Sequence, residues 1–178
     1  MILTGVQIQA EVEQGRVVID PFTPSRIEPN SYGFALGATL LTYTDTELDA
    51  RRRPSVEATP IPGDGMVLEP GRLYLGETAE VMGSPVYAST LHANRSTASM
   101  GMWIQFSADL GHTGAVIPWT LEIRVAHRLV VVPGMPIGKI AFWSTLGPPM
   151  VYSGRYAGST GVCPSGLSTD FSLPQEPS

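Results

Sequence analysis

The amino-acid sequence predicts an all-β barrel with one short N-terminal helix. Three observations carry this. Short apolar runs recur at close intervals, the 19 Gly and 16 Pro are scattered rather than clustered, and turn signatures such as Glu69-Pro70-Gly71 and Pro133-Gly134 fall between the runs. Many short strands joined by tight turns need that spacing, as in a barrel or sandwich.

Taken in order, residues Thr4 to Gln14 read as the helix. Thr4 can cap it, with Gln7 three residues on as in a capping box. Val6, Ala10 and the flanking Ile2 and Leu3 offer an apolar face, and Gly15 is a natural stop. Arg16 to Asp20 reads as a strand ended by Pro21, Pro29 to Gly33 as a turn, and Phe34 to Tyr43 as a further strand region. Asp45 to Gly65 lacks periodicity and reads as an exposed loop or arm. Its Arg51, Arg52 and Arg53 suit either phosphate binding or a solvated charge cluster. Strands then recur at Met66-Leu68, Leu73-Glu80, Trp103-Ala108, Trp119-Val125, Leu129-Val132 and Lys139-Trp143. Periodicity fades beyond Gly147 and no internal repeat is evident. Residues 1–171 read as a single domain and 172–178 as a flexible tail.

The chain of 178 residues is long enough for one proper core, and its 15% charged residues mark it as globular. A net charge of -5 argues against a nucleic-acid partner, which calls for a basic field. The lone cysteine, Cys163, rules out an intrachain disulfide. It lies in a Gly/Ser/Pro-rich segment with no base nearby in sequence. No apolar run approaches the roughly 18 residues of a membrane span, and no signal-peptide pattern opens the chain. A cytoplasmic location is expected. His92 and His127 lack ligand-like spacing, so no metal site is expected.

Several segments, in order, resemble one family. Pro29-Asn30-Ser31-Tyr32 with Leu36-Gly37, Leu68 to Gly76, Glu80 to Gly83, Trp119-Thr120-Leu121-Glu122-Ile123, and Pro133-Gly134-Met135 with Ile137-Gly138 are similar to dCTP deaminase/dUTPase signatures. Gly154-Arg155-Tyr156 through Gly161, Pro164-Ser165 and Asp170-Phe171 resembles that family's nucleotide-closing tail. The resemblance implies a dUTPase-like distorted jelly-roll β-barrel, a homotrimer with sites at subunit boundaries, and Glu122 as the catalytic glutamate. It also implies deamination of dCTP or hydrolysis of dUTP, with Mg²⁺ carried only on a nucleotide triphosphate and no other cofactor.

The central family motif, L-E-G-R-S-S and then A-R-L-G, is altered. An ungapped reading places Asn94 at the first arginine, Arg95 at the water-holding serine and Ser99 at the second arginine, while Ser96 alone keeps its place. A shifted reading puts Arg95-Ser96 on the R-S pair at the cost of a gap. Arginine grips phosphate through charge-assisted, often bidentate hydrogen bonds, each contributing about 1.5–3 kcal/mol. Losing two predicts much weaker triphosphate binding, with Arg95 or Arg155 restoring part of it. His112 stands where the family carries an aspartate that meets the sugar hydroxyl, and Ala115-Val116-Ile117-Pro118 replaces a Gly-containing turn with a stiffer, more apolar wall. In the tail, Arg155 stands at a family lysine and Ser159 at a glutamine.

Glu122 reads either as a proton shuttle facing a pocket or as a surface strand residue paired with Arg124 or Arg128. His112 reads as its acid/base partner or as a turn histidine in water. Met100, Met102, Trp103 and Trp119 read as core, or as walls of a larger, greasier pocket. The candidate substrate-binding residues are Asn94, Arg95, Ser96, Ser99, Met100, Trp119, Tyr152, Arg155, Tyr156 and Ser159. These departures predict a repurposed enzyme acting on a non-nucleotide, largely apolar metabolite, such as a cyclisation or rearrangement step of specialised biosynthesis. A deaminase of dCTP or a modified cytosine nucleotide using Glu122 is the first alternative. A non-catalytic member binding a nucleotide or a protein is the second.

Overall fold

A computed structural model describes residues 1–105, 108–148 and 150–171. The chain opens with α1 (Gly5–Glu13). It continues through β1 (Val18–Asp20), a 3-10 turn at Pro24–Arg26, β2 (Ile27–Glu28), β3 (Ser31–Ala35), β4 (Thr39–Tyr43), β5 (Val56–Pro60), β6 (Met66–Leu68), β7 (Tyr74–Gly83) and β8 (Ala88–Ala93). A one-turn helix, α2 (Arg95–Ser99), leads into β9 (Met102–Trp103), β10 (Leu110–Gly111), β11 (Val116–Val125), β12 (Leu129–Val131) and β13 (Pro136–Trp143). A second 3-10 turn at Leu167–Phe171 closes the described chain.

The strands form two antiparallel layers around one core. One sheet runs β5-β4-β7-β11-β9 with β1 also on β7, and the other runs β10-β8-β13-β3-β2. A small β12-β6 ribbon adjoins them. Fully buried Tyr32, Phe34, Leu121, Ile123, Ile140 and Phe142 fill the space between layers. The alternation in β11 explains why: Leu121, Ile123 and Val125 are buried, while Thr120, Glu122 and Arg124 between them are not, as a strand with one face on the core requires.

Thr4 caps α1 as expected, its side chain accepting from Gln7 N–H at 3.3 Å. The buried face differs from the expected one: Val6 is 81% exposed, and Gly5, Ile8 and Glu11 point inward. Burying Glu11 is possible because Arg16, just past the helix, donates to it from Nε and Nη2 at 2.5 and 2.6 Å. The turn expected over Pro29 to Gly33 is shorter, because Ser31, Tyr32 and Gly33 already pair in β3. Part of the expected arm is a strand: β5 pairs with β4 from Thr39↔Pro60 to Tyr43↔Val56. Its solvated outer position leaves little apolar periodicity to read. β8 and β10 were also absent from the expected strands. Of the strand expected over Trp103-Ala108, only Trp103 is strand among the described residues, and 106–107 lie outside them. The expected tail 172–178 likewise lies outside the described residues.

One irregularity shapes the site. Along the β7–β11 pair, Pro118 faces Val81 but Thr120 faces Glu77, so β7 bulges between them. Proline has no N–H for the ladder. Within the bulge Thr78 Oγ1 takes the Trp119 N–H at 2.9 Å and donates to the Glu80 carbonyl at 2.7 Å.

Candidate functional site

The bulge displaces Trp119 from regular alternation, and its indole N–H donates to the Met82 carbonyl at 2.9 Å. The ring edge lies against β10: a Cβ on Gly111 would fall 2.7 Å from Trp119 and 2.1 Å from Ser89 Oγ, so only glycine fits there. Two residues further on, the Glu122 backbone is pinned from both sides, opposite Leu75 of β7 and donating to the Ile104 carbonyl at 2.9 Å. Its half-buried side chain borders a cavity of about 470 Å³. Pro118, Thr120 and Ile117 continue that wall, and Leu73 and Leu75 form its neighbour.

The opposite side is the chain's own C-terminal segment, a strap running back across the sheet. Three of its backbone N–H groups donate to barrel side chains: Val162 to Glu77 Oε2 at 2.8 Å, Cys163 to Thr120 Oγ1 at 3.0 Å and Ser165 to the Tyr43 hydroxyl at 3.0 Å. Thr120, Glu77 and Tyr43 sit on β11, β7 and β4, three adjacent strands. The strap is therefore tied to all three. Upstream, Tyr152 N–H donates to the Thr113 carbonyl at 2.8 Å, and its ring stacks on His112 with centroids 5.4 Å apart. Tyr156, Ser159 and Cys163 also line the cavity.

Of the twelve residues singled out in the sequence, the cavity brings together Glu122, His112, Trp119, Tyr152, Tyr156 and Ser159. Glu122 faces this cavity rather than serving only as a surface partner. Asn94, Arg95, Ser96, Ser99 and Met100 do not line it. They lie on and around α2, which packs on β9 at the sheet edge, and Arg95, Ser96, Ser99 and Met100 are exposed there. The Asn94 Oδ1 atom is buried without a hydrogen-bond partner. Arg155 is also absent from the lining, because its guanidinium pairs with Asp170 and donates to the Gly166 carbonyl at 2.5 Å. Met102 is core, Trp103 is exposed and Trp119 is shared between core and cavity.

The sequence reading missed Thr120, Tyr43 and the Leu73/Leu75 pair. Two-residue alternation from Glu122 was a usable signal for Thr120, whereas Tyr43 arrives through a sheet neighbour that its own segment does not reveal. Among the described residues, no group of three or more His, Cys, Asp or Glu is placed to hold a metal ion. Nor is any described helix long and apolar enough to cross a membrane.

Residues 2–145 match the family model described as dCTP deaminase-like. A "dCTP deaminase, dUMP-forming" of Cytophaga hutchinsonii is 37% identical over 96% of this chain and 99% of its own length. The chain belongs to the dCTP deaminase-like family. A protein of the same description from Clostridium beijerinckii is 36% identical over 96% of the chain and 99% of its own length. A dCTP deaminase of Rhodopirellula baltica is 36% identical over 93% of the chain and 83% of its own length. The crystal structure of 2'-deoxycytidine 5'-triphosphate deaminase from Agrobacterium tumefaciens superposes with a TM-score of 0.65 at 17% identity, covering 81% of this chain and 48% of that one. That likeness supports the all-β, dUTPase-like fold.

These relatives overturn the expectation of a non-nucleotide, apolar metabolite and a cyclisation or rearrangement. Proteins this similar over nearly the whole chain are named for dCTP. The expectation rested in part on Asn94, Arg95 and Ser99, which do not line the cavity that this chain builds, and in part on His112 and the apolar Ala115, Ile117 and Pro118, which do. Membership in a dCTP deaminase-like family points to nucleotide chemistry, not to specialised biosynthesis.

Proposed function

We propose that the protein deaminates dCTP or a modified deoxycytidine nucleotide, with Glu122 handling the protons. The carrying observation is a half-buried Glu122 on the wall of a 470 Å³ cavity, in a chain 37% identical to a dCTP deaminase over 96% of its length. Water adds to C4 of the ring as Glu122 accepts one of its protons and passes it to ring N3. The carboxylate then takes the remaining hydroxyl proton and delivers it to the amino group as the C4=O bond forms, the C4–N bond breaks, and ammonia leaves. A uracil nucleotide remains. The flat walls of Trp119 and Tyr152 suit a planar base, and the apolar Ile117 and Leu75 keep bulk water off the carboxylate.

In this reading the working form is a cytoplasmic homotrimer, and α2 offers Asn94, Arg95, Ser96 and Ser99 to a neighbouring copy. Any Mg²⁺ would arrive as counter-ion of the triphosphate.

The test is ammonia release from dCTP, with the nucleotide product separated by chromatography as dUTP or dUMP. Glu122→Gln is expected to lower kcat by about 10²–10⁴-fold, the usual weight of a general acid/base, without changing the melting temperature. Absence of ammonia release from dCTP and from modified deoxycytidine triphosphates would overturn the reading.

A further inference from the structure

We infer that Thr120 is the residue that reads the pyrimidine, its hydroxyl donating to O2 of the base while Glu122 works at C4. This rests on the reading of the cavity as a deoxycytidine nucleotide site. Thr120 and Glu122 are two residues apart on β11, in unbroken register with Glu77 and Leu75 of β7. Their side chains therefore leave the same face of the sheet, and both line the 470 Å³ cavity. Two strand residues span roughly 6.5–7 Å. Cytosine carries its O2 acceptor and its C4 amino group on either side of N3, along one edge. A ring lying along β11 with C4 at Glu122 turns O2 towards Thr120, and that edge is the one by which a base is read.

The hydroxyl is held for this role before a ligand arrives. Thr120 Oγ1 accepts the Cys163 N–H of the strap at 3.0 Å. A threonine hydroxyl accepts through two lone pairs and donates one proton. Among the described residues no other group takes that proton. With a lone pair committed to the strap, the proton is left for the cavity. Thr120 is half-buried in a wall that also holds Leu75 and Ile117, where a hydrogen bond to a ligand is stronger than it would be in open water.

The other hydroxyls of the lining are placed less well. Ser159 spends its proton on the Tyr156 carbonyl at 2.8 Å. Tyr152, Tyr156 and Ser165 belong to the strap, and each accepts a strap amide. Tyr43 takes the Ser165 amide from β4, with β7 lying between it and β11. Two strand spacings put it about 10 Å from the Glu122 strand.

Calorimetry measures Kd for dCTP and for 2-thio-dCTP, in which sulfur, a weak acceptor, replaces O2. A Glu122→Gln background stops turnover, and Thr120→Val, Thr120→Ala and Thr120→Ser are added to it. The background protein is expected to prefer dCTP by about three- to tenfold, the weight of one hydrogen bond. Thr120→Val should bind both nucleotides equally, and Thr120→Ser should restore the preference. Thr120→Ala, read in the same way, covers a valine variant that does not fold. Either apolar variant also frees the Cys163 amide, which affects both nucleotides alike, so the ratio between them isolates the contact with O2. A preference for dCTP that survives in Thr120→Val or Thr120→Ala overturns the inference. So does a background protein with no preference. Ammonia release is scored separately with Glu122 intact. A Thr120-dependent preference without ammonia release sinks the deaminase reading and leaves Thr120 as the base-reading residue.

Discussion

Glu11 and Glu80 are each about 1% exposed, yet their carboxyls are pushed in opposite directions. The Arg16 guanidinium gripping Glu11 outweighs burial and lowers its pKa from 4.5 to about 2. Burial dominates at Glu80 and raises its pKa, although Ala35 N–H at 3.0 Å and Arg26 both favour the charged form. The linkage signs are opposed. Glu11 contributes stability that is present above the ordinary carboxylate value and lost as pH falls through about 2. Glu80 costs nothing below its ordinary value, and subtracts stability as pH rises through its raised one. Arg26→Met removes the countercharge and leaves a buried carboxylate, which costs about 3–5 kcal/mol in comparable sites. The variant is expected to melt well below the wild type at pH 7 and to recover part of the gap as pH is lowered towards about 5. Arg16→Met strands the buried Glu11 in the same way, so its gap too should narrow as pH is lowered. Melting curves across pH check both, and a gap for Arg26→Met that stays constant with pH would disprove the assignment to Glu80.

At the scale of elements, the legible strands were those whose own composition declares them. β6 and β12 are unbroken apolar runs, and β7, β11 and β13 are rich in β-branched, aromatic and other apolar residues between turn signals. β5 and β8 were hidden because Val-Glu-Ala-Thr-Pro and Ala-Ser-Thr-Leu-His-Ala are half polar; partners in the sheet make them strands. The strap was legible only as a segment with little periodicity, because it is held by backbone donors to barrel side chains rather than by a ladder. Its first anchor is the charged one, since Glu77 supplies one carboxylate oxygen to the Val162 amide. Hydrogen bonds to charged groups contribute about 1.5–3 kcal/mol. Glu77→Ala should therefore speed deuterium exchange at Val162 by about tenfold or more and raise KM, while Ile123 and Leu121 of β11 exchange as before. Unchanged exchange at Val162 would mean that the strap is held by something other than these three contacts.

For the whole molecule, half of the candidate site was legible because Glu122, His112, Trp119, Tyr152, Tyr156 and Ser159 converge within one chain. The other residues named from the family motif gather instead near α2, where a single copy leaves them facing outward. Met100 and Trp103 are 58% and 50% exposed beside them. Apolar side chains this large on one flank, next to the partnerless Asn94 Oδ1, suit a surface meant to be covered, and a closed trimer covers the same surface three times. Burying a side chain of that size contributes about 1.5–3 kcal/mol per copy, so one charge there should be enough to open the assembly. Light scattering at micromolar concentration is expected to give three times the chain mass for the wild type. Met100→Glu should give a monomer that keeps its secondary structure by circular dichroism and loses turnover together with the assembly. A wild type that scatters as a clean monomer would remove the trimer from the proposal. A monomeric Met100→Glu variant with undiminished turnover would show that the cavity formed by β11, β10 and the strap is complete within one chain.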